Sequence, residues 1–374
     1  MIINVTRDNL YSAVNFLQNI TNKKTTIAIL ANILFETDYN SIILTATDLE
    51  VGIKITIPAE ISEPGSITIP SKKLFEIIRE TEKCNIKLEL LDNNWININT
   101  DSGNYKLAGT DNEEYPNFPE FNEEILVSIP SDTLKEAIDK TYFAISSESE
   151  TQFNLKGTLF EKETIDGKNY IRLVSSDGHR LAFMEREVDT DISKLDCDRT
   201  LLIPKRGILE IKKLCEKAEF IDIGFDAKQA VLKTENTLMI IRLLSGEFPK
   251  YRNIIDSINK ETFIEIDRIE FISALRRVNL FSDDEYSSIS FNLTKDLLTL
   301  TSANMDIGSG KEKIKISYSG EDILIGFNVK FFIEALQVMN SRKIKGYLNS
   351  NNTPFLIEGD EDPGYLNIVM PMRI

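Results

Sequence analysis

The residue types with the most chemical potential stand together in the segment Asp177-Gly178-His179-Arg180-Leu181, which contains the only histidine of the chain. This segment follows an apolar run from Tyr170 to Val174 that has the character of a strand. A histidine close to a carboxylate could serve as a general base, as in a hydrolytic triad. A single histidine where a strand meets a turn is more often structural or part of a binding rim. The segment therefore favours a binding site over a catalytic one.

Other signatures of catalysis or cofactor binding do not appear in the sequence. There is no phosphate-binding Gly-x-x-x-x-Gly-Lys-Ser/Thr loop and no convincing Gly-x-Gly-x-x-Gly after a strand. Cys84, Cys197 and Cys215 are scattered and odd in number, which fits neither a disulfide framework nor a metal cluster. We therefore expect no catalytic residue, no metal and no cofactor.

The segment around His179 belongs to a pattern that occurs three times along the chain. The three copies are Leu44-Thr45-Ala46-Thr47-Asp48, Leu173-Val174-Ser175-Ser176-Asp177 and Leu300-Thr301-Ser302-Ala303-Asn304. They are spaced by about 125–130 residues, which is close to one ordinary domain length. A chain of three similar domains is the simplest interpretation, and three unrelated α+β domains are the alternative.

Each copy is predicted to open with a short strand and an amphipathic helix. The second and third opening strands are predicted at Ile125–Ile129 and Thr262–Ile266. The apolar residues recur at helical spacing, and Thr6 is a suitable N-cap for the first helix. These residues are Leu10, Val14 and Leu17, then Leu134, Ile138 and Tyr142, then Phe271, Leu275 and Val278.

Hairpins and a second helix follow in each copy. The hairpins are predicted around Asp38-Tyr39-Asn40, around Asp166-Gly167 and between Asn292 and Leu297. A strand that runs directly into a helix is predicted at Ile67–Ile78, Leu201–Ile211 and Leu324–Ala335. Proline precedes the first two of these helices, where a missing N–H costs little.

Segments that combine proline with aromatic residues end the first two copies. They are Tyr115-Pro116-Asn117-Phe118-Pro119 and Phe248-Pro249-Lys250-Tyr251-Arg252, and we expect extended linkers there. The predicted domains are therefore residues 1–122, 123–253 and 254–374. The fold class is α+β, with two helices and antiparallel sheets in each domain and with domains joined edge strand to edge strand.

The composition is that of a globular, strongly acidic protein. The chain has 374 residues, 42% of them hydrophobic, and a formal net charge of −16. No apolar run approaches the roughly 18 residues needed to span a bilayer, and the N-terminus does not have the pattern of a signal peptide. These features favour the cytoplasm. The net charge argues against a protein that lays a basic face along DNA, unless its cations are concentrated on one surface.

Basic residues recur on the predicted helices of this acidic chain. A polyanion that ran past these helices would be held by sequence-independent attraction. Isolated solvent-exposed cations are the alternative interpretation. The candidates to face a polyanion are Lys23, Lys24, Lys72, Lys73, Arg79, Lys205, Arg206, Arg276 and Arg277.

Several motifs resemble the bacterial DNA polymerase III beta subunit, the family of replicative sliding clamps, over essentially the whole chain. The most specific are Ser176-Asp177-Gly178-His179-Arg180-Leu181-Ala182 and Val369-Met370-Pro371-Met372-Arg373-Ile374. Others are Leu44–Glu50, Glu63–Pro70, Gly246–Arg252 and Ile325–Asn328.

The resemblance implies three DNA-clamp domains per chain and a closed, head-to-tail homodimeric ring. Such a ring encircles duplex DNA without sequence preference and serves as a processivity factor for replicative and repair polymerases. An ATP-dependent clamp loader would open the ring, and the clamp itself would hydrolyse nothing and would not be an enzyme. A scaffold of the same fold that gathers proteins without DNA, and an enzyme that uses His179, are the alternatives.

The resemblance also implies a pocket, between the second and third domains, for short linear peptides of polymerases and of the clamp loader. The pocket residues carried over by motif are Leu155, Ser176, Gly178, His179, Arg180, Leu181, Pro249, Ile254, Asn328, Phe331, Val369, Met370, Pro371, Met372 and Arg373. Candidates for the dimer interface are Lys73, Ile77, Leu280 and Phe281.

Overall fold

The computed structural model describes residues 1–21, 26–147, 155–197, 200–226, 228–282 and 287–373. The chain divides into two compact units. The first unit comprises Met1–Ile129, Ser193–Asp196 and Ala218–Leu243, and the second comprises Pro130–Ile192, Cys197–Lys217 and Leu244–Ile374.

The first unit contains a five-stranded and an eight-stranded antiparallel sheet. The five-stranded sheet has the order β5-β1-β7-β8-β9, with β1 at Ile2–Thr6, β5 at Glu60–Glu63, β7 at Asn85–Leu90, β8 at Trp95–Asn99 and β9 at Asn104–Ala108. The eight-stranded sheet has the order β10-β15-β16-β17-β4-β3-β2-β6. Its strands are β2 at Asn32–Asp38, β3 at Ser41–Thr47, β4 at Val51–Pro58, β6 at Ser66–Pro70, β10 at Val127–Pro130, β15 at Phe220–Phe225, β16 at Gln229–Lys233 and β17 at Thr237–Arg242. The helices of this unit are α1 at Arg7–Thr21 and α2 at Ser71–Glu80.

The second unit contains an eight-stranded and a four-stranded antiparallel sheet. The eight-stranded order is β14-β11-β12-β13-β25-β24-β23-β18, with β11 at Gly157–Ile165, β12 at Lys168–Ser176, β13 at Arg180–Val188, β14 at Leu201–Pro204, β18 at Ile264–Asp267, β23 at Lys343–Tyr347, β24 at Phe355–Glu358 and β25 at Tyr365–Val369. The four-stranded order is β21-β20-β19-β22, with β19 at Ser288–Thr294, β20 at Leu297–Asn304, β21 at Gly308–Lys315 and β22 at Ile323–Asn328. The helices are α3 at Ser131–Asp139, α4 at Lys205–Cys215, α5 at Tyr251–Asp256, α6 at Arg268–Asn279 and α7 at Val329–Gln337.

Local sequence explains most of these elements. The Thr6 hydroxyl accepts the N–H of Asn9 at 3.4 Å and begins α1, as its N-cap role predicts. Pro70, Pro130 and Pro204 each stand immediately before a helix. There the missing N–H is one that the helix would leave unpaired in any case. The three predicted hairpins form as β2–β3, β11–β12 and β19–β20.

The apolar periodicity predicts the buried faces of the long helices. Leu10, Val14 and Leu17 of α1 are fully buried. Phe271, Leu275 and Val278 of α6 are buried as well, and the ring of Phe271 meets the Phe291 ring edge-on at 6.1 Å. Burial of such residues supplies most of the stabilisation of an amphipathic helix, since intrinsic helix propensity alone is weak.

Strands of different repeats pair directly, as the edge-to-edge expectation requires. Strand β4 of the first repeat pairs with β17 of the second, and β13 of the second pairs with β25 of the third. Both junctions are antiparallel and five residues long in register. Backbone groups that would otherwise be exposed at a sheet edge are thereby satisfied.

The structure corrects three predicted element boundaries. Strand β10 begins at Val127, because Glu123–Ile125 form a 3-10 turn capped by the Asn122 side chain. Strand β18 begins at Ile264, so Thr262 and Phe263 lie outside it. Helix α3 ends at Asp139, and Tyr142 lies in a separate 3-10 turn.

The second predicted linker is only partly extended. Residues 247–250 have no regular structure, but Tyr251–Asp256 form α5. Tyr251 and Ile258 are buried in an apolar cluster, so burial of these side chains stabilises a compact turn of helix there.

No helix within the described ranges combines the length and the apolarity needed to cross a membrane.

Candidate peptide-binding site and basic helices

The turn between β12 and β13 is held by its own side chains. The Asp177 carboxylate accepts the N–H groups of His179 and Arg180, each at 3.0 Å. The Ser176 hydroxyl accepts the N–H of Gly178 at 3.1 Å and donates to the Arg180 carbonyl at 2.7 Å. Gly178 has φ +90°, a backbone conformation that residues with a side chain rarely adopt. The turn therefore has a defined conformation.

Arg180 lies beneath this turn, with only 9% of its side chain exposed. Its guanidinium donates to Asp177 at 2.9 Å, to the carbonyl of Phe143 at 2.8 Å and to Glu334. The same group lies 4.5 Å from the centre of the Phe331 ring. A guanidinium with this set of partners positions the turn, because its donors are already engaged by the protein.

His179 is exposed and does not form the pair that a triad requires. Its backbone carbonyl accepts the N–H of Met370 at 2.8 Å. The neighbouring carboxylate, Asp177, binds Arg180 instead. Within the described ranges, no carboxylate makes a hydrogen bond to the His179 ring. The geometry thus favours a binding rim over a general base.

The pairing of β13 with β25 brings the C-terminal motif beside the turn. Arg180 is opposite Val369, and Leu181 is opposite Ile368. Val369 is fully buried, so it supports the site from the core. Leu155 is buried as well, and its Cδ1 lies 3.8 Å from the point where a side chain on residue 178 would begin.

An apolar cluster joins three of the predicted pocket residues. Leu181 is part of its buried centre, and the half-buried side chains of Ile254 and Met370 pack against it. Of the other members, Val174, Phe248 and Tyr251 stand in motifs of the sequence, and the rest are not indicated by any motif. All the other members are Leu159, Val174, Leu202, Tyr251, Ile258, Tyr347, Leu356, Leu366 and Ile368, with Phe183, Leu244, Phe248 and Ile255 at the margin.

Two grooves are lined by predicted pocket residues, and the first of them shares residues with this cluster. Exposed Pro249 lines one of about 410 Å³ together with Phe248 and Tyr251. The Tyr251 hydroxyl donates to Glu161, and burial together with this carboxylate raises the pKa of the phenol. A neutral, fixed tyrosine therefore forms the wall of this groove throughout the neutral pH range.

The last described residues line the second groove, of about 460 Å³. Pro371, Met372 and Arg373 contribute to it, and the Met372 N–H donates to the Gly326 carbonyl at 2.8 Å. Asn328 caps α7 by accepting the N–H of Lys330 at 2.9 Å. Some of the predicted pocket residues thus belong to the apolar cluster, with Leu181 and Met370, and others line a separate groove along β22.

Several of the predicted DNA-facing cations are already paired with carboxylates. Lys73 contacts Glu76 at 2.6 Å and Arg79 contacts Glu80 at 2.9 Å. Two nitrogens of the Arg277 guanidinium donate to the Glu312 carboxylate, at 2.8 and 2.9 Å. Lys72, Lys205 and Arg276 form no ion pair with the part of the chain that the structure describes. Lys23 and Lys24 lie outside the described residues.

The candidate interface residues are accessible. Leu280 follows α6 and is 71% exposed. The Phe281 ring lies against β21, where a Cβ on residue 310 would stand 2.6 Å from it, so glycine is required at that position as the ring is placed. Lys73 is exposed on α2, and Ile77 is half-buried there.

Three repeats of two main helices on antiparallel sheet, joined strand to strand, define a protein of the DNA-clamp class. Residues 1–119, 128–250 and 257–373 match the N-terminal, central and C-terminal domains of the DNA polymerase III beta subunit. The chain belongs to this family.

Relatives match along the full chain. A beta sliding clamp of Chlamydia pneumoniae is 30% identical, over 99% of this chain and 98% of its own length. One from Vibrio cholerae is 27% identical over the whole of both chains. The crystal structure of the DNA polymerase sliding clamp from Caulobacter crescentus is 26% identical, with a TM-score of 0.93 and complete coverage of both chains.

Proposed function

We propose that this protein is a DNA polymerase processivity factor, a sliding clamp that closes around duplex DNA as a head-to-tail homodimer. Its repeats are residues 1–122, 123–253 and 254–374. One observation carries the proposal. Two junctions between repeats use equivalent strands, and the strands needed for a third junction, β9 and β21, are the last strands of their sheets. A second copy supplies each missing partner and closes the ring.

The internal repeat also predicts the register of this closing junction. Single bridges join Thr68 to Thr110, Leu202 to Leu244 and Gly326 to Met372. They occupy the same place in each repeat, just after its last strand. The residues three positions earlier are therefore equivalent, and these are Leu107, Ile241 and Val369.

The strands that pair with the last strands of the repeats can be aligned by their own first residues. Strands β4, β13 and β21 begin at Val51, Arg180 and Gly308. Val51 is opposite Ile241, and Arg180 is opposite Val369. By the same rule, Gly308 is opposite Leu107 of the partner subunit.

This register gives the interface a consistent packing. Gly310 then lies opposite Tyr105 of the partner subunit, on the sheet face where the Phe281 ring packs. Leu107 and Tyr105 lie on the same side of β9, since they are two residues apart. Two glycines in β21 leave room for the Phe281 ring on this face, and these side chains of the partner subunit would pack beside that ring.

The same comparison supports a position of helix α2 at the proposed interface. Phe331 and Glu334, the third and sixth residues of α7, contact Arg180, which is equivalent to Gly308. Their counterparts in α2 are Lys73 and Glu76. This equivalence supports Lys73 and its neighbour Ile77 as interface residues, facing Leu280 and Phe281 of the other subunit.

Disulfide crosslinking tests the register. In a background with Cys84→Ser and Cys197→Ser, the pair Ser309→Cys and Lys106→Cys should give a covalent dimer on a non-reducing gel. The pair Ser309→Cys and Asn104→Cys, shifted by two residues, should not, because its Cα atoms lie more than about 7 Å apart. Crosslinking of the shifted pair alone would disprove the register, and crosslinking of neither would argue against a ring closed by these strands.

A ring explains how a protein of net charge −16 can serve DNA. Topological enclosure needs no tight phosphate contact, and cations such as Lys72, Lys205 and Arg276 add only weak, screened attraction. The test is to load the protein with its clamp loader and ATP onto a nicked circular plasmid, and then to linearise the plasmid. Retention in high salt on the circle, with release from the linear form, is expected. Equal loss from both forms would contradict the clamp.

We further propose that short linear peptides of polymerase subunits and of the clamp loader bind at the cluster around Leu181 and Met370. An apolar centre with a flexible methionine accommodates related but different sequences. The rigid Asp177 turn and the backbone of the C-terminal motif orient an extended chain. Met370→Ser should lower the affinity for a polymerase-derived peptide, as measured by fluorescence anisotropy. Met305→Ser, at a fully exposed methionine, is the matched control.

The second candidate function is a scaffold that gathers proteins without DNA, and the ion pairing of Lys73, Arg79 and Arg277 favours it. In that case Lys205→Glu with Arg206→Glu would leave every measured activity unchanged. A clamp with this change should load more slowly, because the hole would repel the duplex. In either case we propose a cytoplasmic protein that binds partners and catalyses no reaction.

A further inference from the structure

The outer face of the four-stranded sheet β21-β20-β19-β22 carries a row of cations that the clamp function does not use. Lys311, Lys313 and Lys315 alternate along β21 and are all exposed. Alternate residues of a strand point to the same face, about 7 Å apart. We call this surface the lysine face.

Two of these three lysines have hydroxyl residues opposite them, and Lys315 is opposite Leu297. Lys311 is opposite Thr301 and Lys313 is opposite Thr299 on β20. The only carboxylate in the four strands is Glu312, which lies on the other face and binds Arg277 of α6. Within the described ranges, none of the three ammonium groups forms an ion pair or a ring contact.

This local charge contrasts with the rest of the chain, whose net charge is −16. At physiological ionic strength the screening length is about 8 Å, so a ligand on the lysine face experiences the lysines more than the distant carboxylates. The surrounding acidic surface would repel the same ligand elsewhere. An anionic ligand therefore has one preferred place on this part of the molecule.

Equivalent positions in the other two repeats are covered by aromatic side chains of the chain itself. In the first repeat the Phe118 ring covers β4. It lies 3.1 Å from the position that a Cβ on residue 52 would take, and the centre of the Phe118 ring is 4.7 Å from the Lys54 ammonium. The ring centre of Tyr251 lies 6.0 Å from that of Phe183, the counterpart of Lys54. In the third repeat that counterpart is Lys311, which no described aromatic ring covers.

We propose that the lysine face docks an extended acidic peptide of a partner protein, with carboxylates at every second residue. In an extended strand such carboxylates repeat at about 7 Å, which matches the spacing of Lys311, Lys313 and Lys315. The half-buried Thr301 adds a hydroxyl as a hydrogen-bond partner. Single-stranded nucleic acid fits less well, because β19–β22 present no aromatic side chain on this face for base stacking.

The proposal does not depend on the ring. In the proposed closing junction the free backbone edge of β21 pairs with the partner subunit, whereas the lysine side chains project from the sheet face. Binding of a peptide to the face and closure of the ring are therefore separable measurements.

The test uses the full chain and a fluorescent twelve-residue peptide in which glutamate and threonine alternate. Lys311→Thr, Lys313→Thr and Lys315→Thr together should lower its affinity by about tenfold or more, since three exposed charge pairs are removed. The same three positions changed to arginine should retain binding. A peptide with six consecutive glutamates and six consecutive threonines should bind more weakly than the alternating one.

Two controls separate this site from general attraction. Lys72→Gln with Lys205→Gln, at the proposed DNA-facing helices, should leave peptide affinity unchanged. Sedimentation of each variant reports whether the dimer persists, so loss of the ring is not mistaken for loss of the site. Equal weakening by both sets of changes, or no weakening by the threonine variant, would overturn the proposal. Tighter binding of a twelve-residue oligo-dT than of the peptide would assign the face to nucleic acid instead.

Discussion

At the scale of single residues, the site depends on one buried cation and one exposed ring that stand next to each other. Arg180 joins the turn to Phe143 and Glu334, which lie on separate elements of the second unit. His179 is exposed beside it. Adjacent residues in one motif therefore differ physically, because one is buried and holds the turn while the other is exposed.

Substitution of these two residues should separate the roles. Arg180→Leu leaves the Asp177 and Glu334 carboxylates without their partner, and we expect a loss of about 3 kcal/mol in the free energy of unfolding. His179→Ala should leave this free energy within about 0.5 kcal/mol and lower only peptide affinity. Urea denaturation and anisotropy measure the two effects. A stable Arg180→Leu protein with normal peptide affinity would refute the positioning role.

A second buried ion pair, between Lys140 and Asp362, should make the free energy of unfolding depend on pH in the acidic range. The two side chains are 3% and 0% exposed. Burial by itself raises the pKa of Asp362, but hydrogen bonds from Lys140, Ser341 and the Asn340 N–H outweigh it and hold the pKa below the usual range. Because the folded pKa is lowered, the stabilisation is complete above about pH 4 and is lost as the pH falls through the folded value.

Asp362→Asn is therefore expected to cost about 3 kcal/mol at pH 7, since the buried Lys140 charge then keeps only the more exposed Glu136 carboxylate, 3.6 Å away, as a partner. The variant should also lose less stability than the parent protein between about pH 4 and pH 2. Adding Lys140→Met to Asp362→Asn should recover part of the loss, because no charge then remains buried. Thermal unfolding across pH measures both effects, and an unchanged acid dependence in the single variant would exclude Asp362 as its source.

At the scale of elements, the junction between β13 and β25 needs a close backbone approach. Gly364 has φ +76°, and its carbonyl accepts the Glu185 N–H at 2.9 Å. A side chain there would begin 2.3 Å from the Glu185 carbonyl oxygen. Backbone atoms cannot give way as a flexible side chain can, so glycine is required at this position.

Gly364→Ala should accordingly cost about 3 kcal/mol, from left-handed strain and from displacement of the paired strands. Gly167→Ala is a matched control, because Gly167 has φ +79° but nothing within 4 Å of the added carbon. Its expected cost is about 1 kcal/mol. Denaturant midpoints of the two variants measure the difference, and equal costs would show that close approach at β13 is unimportant.

At the scale of the whole molecule, the proposed clamp should bind DNA in two independent ways, by electrostatic attraction to the duplex and by topological enclosure of it. Lys72→Gln, Lys205→Gln and Arg276→Gln together should weaken low-salt association with linear duplex. The slope of log affinity against log salt should fall by roughly 0.9 for each phosphate that the variant no longer neutralises. Retention of the loaded protein on circular plasmid in high salt should stay unchanged, because enclosure does not depend on charge.

The control removes two exposed cations that lie outside the helices carrying the proposed DNA-facing residues. Lys250→Gln with Lys260→Gln should leave the salt slope as it is in the parent protein. Electrophoretic mobility across a salt series measures the slopes for both sets. If the two sets act alike, net charge rather than the helices controls the approach to DNA.

The sequence by itself determined the threefold repeat, the positions of the long helices and the hairpins. These features follow from local causes that a sequence displays directly. Helical spacing placed Leu10, Val14 and Leu17 on one buried face, and proline or Thr6 marked the starts of helices. The motif around His179 likewise favoured a binding site over a catalytic one, because a single histidine where a strand meets a turn is more often structural or part of a binding rim.

Only the tertiary structure decided what surrounds those residues. Arg180 and Glu334 are 154 positions apart, and no periodicity relates them, so the burial of this guanidinium could not be read from the motif. The apolar cluster at Leu181 assembles through the antiparallel register of β11, β12, β13 and β25, which places distant side chains side by side. The sequence alone does not tell that the lysines of the lysine face are unpaired while other cations form ion pairs. An ion pair depends on which strands and helices become neighbours, and only the tertiary structure shows this.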